Sequence, residues 1–386
     1  MTSRRAVVVA LATGLALAAV LAPTASDRTA PAASGLELGP GLDPAAFARA
    51  TAVREYHLPA DHGPHLEFQT EWWYYTGNLT ASDGRRFGFQ LTFFRRGLAP
   101  GEPSDGLGLA THQVYFAHLA ITDVAARSHV FAERWSRGAG GLAGARGTPF
   151  AVWLEGWRVE SRRADGSAVR LVARDGPLLL DLELEARKPL VRHGEQGLSP
   201  KSDEPGNASH YIGYTRLSAR GRLAASGGAE PVSGDAWFDH EWSTSALGAG
   251  AVGWDWFSLQ LQDGRELMYF QIRREDGGVE AVSGGTLVDA AGDTRRLPAD
   301  AVSLTVLDRW TSPQTGATYP SRWRLRVPGE DLDLLVAPWI PAQEMRTSFV
   351  YWEGAVRVSG TRAGRPLAGH GYVELTGYAR SMQGVF

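Results

Sequence analysis

The chain has 386 residues, 39 basic against 42 acidic side chains, a net charge of -3, and no cysteine. Balanced charge excludes a basic field for nucleic acid. The missing thiols exclude disulfides, Cys-ligated zinc and thiolate nucleophiles. With 46 glycines, 13 tryptophans and few long amphipathic patterns, the composition points to tight turns and aromatic strands in two or three domains.

Residues 1–25 read as a signal peptide. Arg4 and Arg5 precede an apolar run from Ala6 to Leu21, and Pro23-Thr24-Ala25 offers a small-residue exit. An uncleaved anchor stays open as an alternative. The expected location is secreted or periplasmic. Residues 26–50 read as a flexible leader, with Asp43-Pro44 opening a short helix. His57, His62 and His65 then fall in one Pro/Gly loop. No Asp, Glu or Cys signature completes a metal site there, so the expectation is histidines packed on the first strand and no metal.

Glu71-Trp72-Trp73-Tyr74-Tyr75-Thr76-Gly77-Asn78-Leu79 is strand-forming. At period two, Glu71, Trp73 and Tyr75 share one face, and Trp72, Tyr74 and Thr76 share the other. Asp83-Gly84 turns the chain into Phe87 to Arg96. The pattern returns at Trp254 to Leu261, Asp263-Gly264 and Met268 to Arg274, with an Asp-Gly pair at the turn of each copy and an Arg-Arg pair at its end. This reads as two copies of one β domain. The first covers residues 51–234 and the second 235–386, joined through Gly227 to Gly234.

Between the copies, Leu109 to Thr122 reads as a pair of sheet segments, and Phe131 to Phe150 as a glycine-rich excursion. Ala151 to Glu160 and Leu178 to Ala186 read as strands; in the latter, leucines alternate with carboxylates. No phosphate loop or dinucleotide fingerprint occurs.

Two segments concentrate polar groups among aromatics. In Trp237-Phe238-Asp239-His240-Glu241-Trp242, His240 and Trp242 share a face while Asp239 and Glu241 point the other way. In Trp254-Asp255-Trp256, a carboxylate sits inside an apolar run. Facing an apolar cavity, such a carboxyl is a usable general acid. A strand-edge salt bridge is the alternative for Asp255, and a satisfied core position for His240. Glu71 either pairs with Arg95 or Arg96 or lines the cavity. Ser243 and Ser245 lie near His240, but no nucleophile elbow supports a hydrolase.

Asp61-His62-Gly63-Pro64-His65, Glu71 to Leu79, Trp237 to Trp242 and Gly371 to Tyr378 together resemble the carotenoid 1,2-hydratase (hydroxyneurosporene synthase)/AttH-like family, from about Val53 to Tyr378. The resemblance implies an all-β fold of two lipocalin-like β-barrel domains packed side by side, with a ligand cavity near their junction. It implies a cofactor-independent, hydratase-like enzyme, a lyase adding water to an alkene of an apolar polyene or isoprenoid. By the resemblance Asp255 is the acid and His240 orients water. The expected substrate contacts are Trp242, Trp254, Trp256, Glu71, Trp73 and Tyr75. The hydratase pattern has a tyrosine two residues before the acid, where this chain has Gly253. The alternatives are a secreted, non-catalytic binder of lipids or other hydrophobic ligands, and a pericyclase or hydrolase of the same fold. The implied partner is an apolar small molecule or lipid, with peripheral membrane contact left open.

Overall fold

The computed structural model describes residues 44–101, 111–245 and 247–385. The expected signal peptide, most of the leader and Asp43 lie outside the described residues. Pro44–Ala46 forms a single 3-10 turn.

The described residues build two antiparallel sheets. The first contains β1 (Thr70–Ala81), β2 (Arg86–Gly97), β3 (Gln113–Asp123), β4 (Ser128–Arg137), β5 (Ala143–Gly147), β6 (Phe150–Leu154), β7 (Trp157–Ser161), β8 (Ala168–Asp175), β9 (Leu178–Ala186), β10 (Val191–Arg192), β11 (Leu198–Pro200), β12 (Ala208–Ala224) and β13 (Glu230–Ser243). The second contains β14 (Ala251–Leu261), β15 (Glu266–Arg274), β16 (Gly284–Val288), β17 (Thr294–Pro298), β18 (Ser303–Thr311), β19 (Thr318–Val327), β20 (Leu332–Pro338), β21 (Glu344–Arg346), β22 (Val350–Arg362) and β23 (Arg365–Leu375). Each sheet curls into a barrel around its own core. One core gathers Trp73, Tyr75, Phe89, Leu119, Leu182 and Phe238; the other gathers Phe257, Leu259, Trp323, Val336 and Val373. The all-β, lipocalin-like architecture read from the sequence is the one observed.

Strand order repeats between the sheets. The first runs β3-β2-β1-β13-β12-β9-β8 and the second β16-β15-β14-β23-β22-β20-β19. The β1/β2 and β14/β15 hairpins therefore hold equivalent places. Their turns match in detail. Gly84 and Gly264 have φ of 86° and 82°, which glycine adopts without a Cβ clash. Each preceding aspartate accepts from the backbone N–H of Arg85 or Arg265, at 3.0 and 3.2 Å.

Several boundaries differ from the sequence reading. β13 pairs with both β1 and β12, so it closes the first barrel instead of opening the second. The crossing falls between Ser243 and Ala251, and the Gly227–Gly228 segment is a turn between β12 and β13. Gln113 to Asp123 is one strand, and the chain from Phe131 onward continues β4. Ala151 to Glu160 folds into the short pair β6 and β7, because Glu155 turns the chain with φ of 53°.

Burial explains why some strands alternate and others do not. In β9, Leu178, Leu180, Leu182 and Leu184 are buried while Asp181, Glu183 and Glu185 stay at least partly exposed, as one face meets solvent. β1 is buried on both faces. One face meets the first core, and the other packs on the second barrel through Tyr74, Trp237, Tyr211, Trp256, Phe270 and Tyr372.

Candidate functional site

A cleft opens where the two barrels meet. Its walls are aromatic: Trp72, Tyr74 and Phe94 from the first barrel, with Trp254, Trp256 and Phe270 from the second. Asp239, Glu241, Lys201, Tyr211 and Glu374 supply its polar groups. The pattern follows from strand geometry. Trp72 and Tyr74 of β1, Asp239 and Glu241 of β13, and Trp254 and Trp256 of β14 each lie two residues apart, on the faces turned away from the barrel cores.

Asp239 is 3% exposed. Burial pushes its carboxyl up to about 8, and the charges of Glu241 and Glu374 push the same way. The bonds from Tyr211 and Trp237 oppose them without prevailing. Tyr211 donates its hydroxyl to Oδ2 at 2.6 Å, and the Trp237 indole N–H donates to Oδ1 at 2.9 Å. The Trp256 indole N–H donates to the Tyr211 oxygen at 3.0 Å, so the phenol proton is directed at the carboxyl. Indoles only donate, which fixes the sense of the chain.

Two residues on, Glu241 is an ion-paired carboxylate. Lys201 Nζ stands 2.6 Å from Oε1, and Ser209 donates to the same oxygen. Lys201 also sits over the rings of Phe270 and Tyr211, 4.9 and 5.5 Å from their centroids. Glu374, across the cleft, is raised to about 7 by burial against a bond from the Trp254 indole at 3.0 Å. Behind it, burial and the Glu374 charge hold Glu353 well above the usual carboxylate range, and Tyr74 donates to it at 2.8 Å. One strand face thus presents a carboxyl that is neutral at pH 7 beside a charged carboxylate. Such a pair can divide acid and base work.

The structure does not bring the expected pair Asp255 and His240 together. Asp255 points toward the second core, where it accepts from Arg273 Nε and Gln271 Nε2, both at 2.9 Å, and from the Tyr378 hydroxyl at 3.0 Å. It is the salt-bridged carboxylate of the alternative reading. His240 points toward the first barrel, fully buried against Trp73, and its Nε2 lies 2.8 Å from Glu71 Oε1. Strand alternation separates them: Asp239 and Glu241, on the opposite face from His240, reach the cleft.

Of the expected substrate contacts, Trp254 and Trp256 line the cleft. Trp73 and Tyr75 fill the first core. Trp242 stacks flat on His65, centroids 3.7 Å apart. Glu71 is fully buried and ion-paired with Arg95 at 2.8 Å, as one of the two sequence readings held. Its Oε1 also meets His65 Nδ1 at 2.8 Å. His65, Glu71 and His240 could in principle hold a cation. The Arg95 guanidinium already supplies the positive charge at Glu71, and His65 Nε2 lies 3.3 Å from Asp61. The donor set fits an ion-pair network better than a metal centre. His57 is exposed, and His62 is buried among Phe150, Tyr214 and Phe238, so the three loop histidines do not converge. Ser245 Oγ accepts from Asn207, and Ser243 Oγ has no hydrogen-bond partner among the described residues, which leaves no serine–histidine pair at the cleft.

Asp239, Glu241, Lys201 and Tyr211 were not singled out from the sequence. A signal existed: two carboxylates spaced by two in a strand with heavy aromatic residues on both faces. Only the second barrel shows which face is open.

The AttH-like family model matches residues 49–378. A solved structure of a candidate AttH protein from Nitrosomonas europaea is 36% identical, covering 86% of this chain and 100% of its own, with a TM-score of 0.77. Kievitone hydratase from Nectria haematococca is 16% identical, covers 86% of this chain and 96% of its own, and superposes with a TM-score of 0.66; at that identity the likeness concerns the fold. No curated protein matches in sequence. On the family match and the Nitrosomonas relative together, the chain belongs to the AttH-like family.

Proposed function

We propose that the chain is a hydratase-like enzyme that adds water to an alkene of an apolar polyene or isoprenoid held between the barrels, with Asp239 as the acid in place of Asp255. The observation that carries this reading is a neutral carboxyl on an aromatic-walled cleft, two residues from an ion-paired carboxylate. A protein of the same fold is a hydratase, which agrees with the reading.

Asp239 transfers its proton to the less substituted alkene carbon. The cation forms at the more substituted carbon, where the indole rings of Trp254 and Trp256 offer negative π-faces. Water adds to that carbon, and its surplus proton passes to the Glu241 carboxylate. These steps draw on this chain's own residues. A location outside the cytoplasm, with substrate taken from a lipid phase, belongs to the same proposal.

The test begins with mass spectrometry of ligands retained by the purified protein, followed by product analysis. Asp239→Asn keeps the shape and removes the transferable proton, so turnover should fall by about 10²–10⁴-fold while ligand retention persists. Undiminished turnover in that variant removes Asp239 as the acid. Retention of an apolar ligand with no conversion by the wild type establishes the non-catalytic binder instead, a role the aromatic walls also suit.

A further inference from the structure

Asp239 ends each cycle of that mechanism as a carboxylate and needs a new proton. The cleft side is then occupied by product and by aromatic walls. On another side of Asp239 stands His193, which follows β10 and is fully buried. Its Nε2 lies 3.7 Å from Asp239 Oδ1 and has no hydrogen-bond partner among the described residues. Its other nitrogen, Nδ1, meets the Thr286 hydroxyl of β16 at 3.1 Å. The ring packs on Tyr211, centroids 4.3 Å apart, and so is held beside the tyrosine that bonds Asp239.

A second feature keeps this approach open. Gly213 of β12 is the register partner of Asp239. A Cβ there would stand 2.5 Å from Asp239 Oδ1 and 3.4 Å from His193 Nε2. Any other residue would intrude between the carboxyl and the imidazole. The residues next to His193 and Thr286, Gly194 and Gly285, border a narrow gap lined also by Ser199, Gly284 and Arg296. Gly194 and Arg296 border an open surface groove as well. The gap thus comes within one residue of His193 and Thr286 along the chain, and the groove within one of His193, although neither side chain lines them.

We propose that His193 returns the proton to Asp239, passing it from the Thr286 side through the imidazole to Asp239 Oδ1. This rests on Asp239 being the acid. The balance closes. His193 Nε2 loses its proton to the Asp239 carboxylate as Nδ1 takes one from the Thr286 hydroxyl, which takes one in turn from water; the ring, left as the Nδ1–H tautomer, returns to Nε2–H by losing the Nδ1 proton and regaining one at Nε2 before the next cycle. Glu241 releases to solvent the proton it took from the attacking water, so one water is consumed and no net proton. Closing the gap between Nε2 and Oδ1 to a hydrogen bond needs only a small side-chain movement, and such bonds are often long in the unliganded state. The groups facing the imidazole are Asp239, Tyr211, Thr286 and the Lys201 charge. Burial first, and Lys201 second, push His193 down to about 3, which suits a neutral relay that does not itself hold charge.

The test does not require the substrate. The protonated Asp239 carboxyl has an infrared C=O band, identified by its loss in Asp239→Asn. On transfer to heavy water the band shifts as the proton exchanges. In His193→Phe, which keeps a ring and removes both nitrogens, and in the milder Thr286→Val, exchange should slow by roughly tenfold or more. His193→Gln serves where the phenylalanine variant fails to fold. In His193→Ala, which leaves room for it, added imidazole should restore exchange. Exchange at the wild-type rate in folded His193 variants overturns the proposal. Once a substrate is known, those variants should keep the first turnover and lose steady-state rate; equal loss in both makes His193 merely structural. If Asp239→Asn retains full turnover, the acid assignment fails; if it is inactive and His193→Phe is normal, the relay alone fails.

Discussion

Replacing Glu71 with glutamine tests whether the network beneath the first barrel is structural. Glu71 is fully buried, and both its oxygens are fully engaged. His65 Nδ1 and His240 Nε2 meet Oε1 at 2.8 Å, while Arg95 Nε and the His65 backbone N–H donate to Oε2 at 2.8 and 3.0 Å. An amide can be turned so that its oxygen accepts from Arg95 and its nitrogen donates to the imidazoles. The substitution thus keeps most hydrogen bonds and removes the charge. Arg95 is also fully buried, and its remaining partners are neutral: Gln113 Oε1 and the carbonyls of His65 and Phe68, each at 2.8 Å. A buried cation losing its counter-charge costs about 3–5 kcal/mol, and the retained bonds place Glu71→Gln at the lower end. Urea unfolding at pH 7 measures this. The pH dependence gives an independent check. Burial alone would raise the Glu71 carboxyl, but Arg95 and the two imidazoles hold it well below its ordinary value. A depressed carboxyl contributes stability that is present above the unfolded value of about 4.3 and is lost as pH falls through the folded value. The gap between wild type and variant should be flat near neutrality and narrow in acid. A loss under about 1 kcal/mol at pH 7 would refute the reasoning, since no buried pair with a stranded partner is that cheap.

Three further outcomes are expected. Asp255→Asn should leave ligand retention and turnover intact while lowering stability by about 1–3 kcal/mol, because Arg273 and Tyr378 lose a buried acceptor; paired turnover and unfolding measurements read both. Turnover should decline as pH rises through about 8, where Asp239 ionises. Stability carries the matching sign: between the unfolded value of about 3.9 and about 8 the unfolded chain binds fewer protons, so stability falls with rising pH, and Asp239→Asn should flatten that slope in unfolding curves. Gly213→Ala should cost about 1–3 kcal/mol by overpacking, seen as a lower urea midpoint at unchanged slope, because its Cβ meets the Phe238 carbonyl oxygen at 2.5 Å as well as the Asp239 carboxyl.

The aromatic strands and the repeated Asp-Gly hairpin were legible in the sequence, since strand propensity, turn chemistry and period two are local; the two lipocalin-like barrels were implied by the family resemblance. The open face was not. In β13, Trp237, Asp239 and Glu241 alternate with Phe238, His240 and Trp242, and both sets are buried. Periodicity separates such faces without saying which meets another sheet. The same limit displaced the domain boundary: Asp239 to Trp242 align with the Glu71 to Tyr74 region of β1, a pairing between segments far apart in the chain that no local signal records. The resemblance supplied the AttH-like family, and Asp255 and His240, the residues it implied, lie one step along their strands from residues that line the cleft.

Both barrels carry a carboxylate–arginine pair between their first and second strands, Glu71–Arg95 in one and Asp255–Arg273 in the other. The cleft is walled by residues on the strand faces turned away from the two cores. Those surfaces are free to change without disturbing either core. Along β14, substitutions at Trp254 and Trp256 can reshape the cleft while Phe257 and Leu259 preserve the fold. One architecture can therefore change the lining of its cleft through alternate residues of a few strands, and relatives are expected to differ most at those positions.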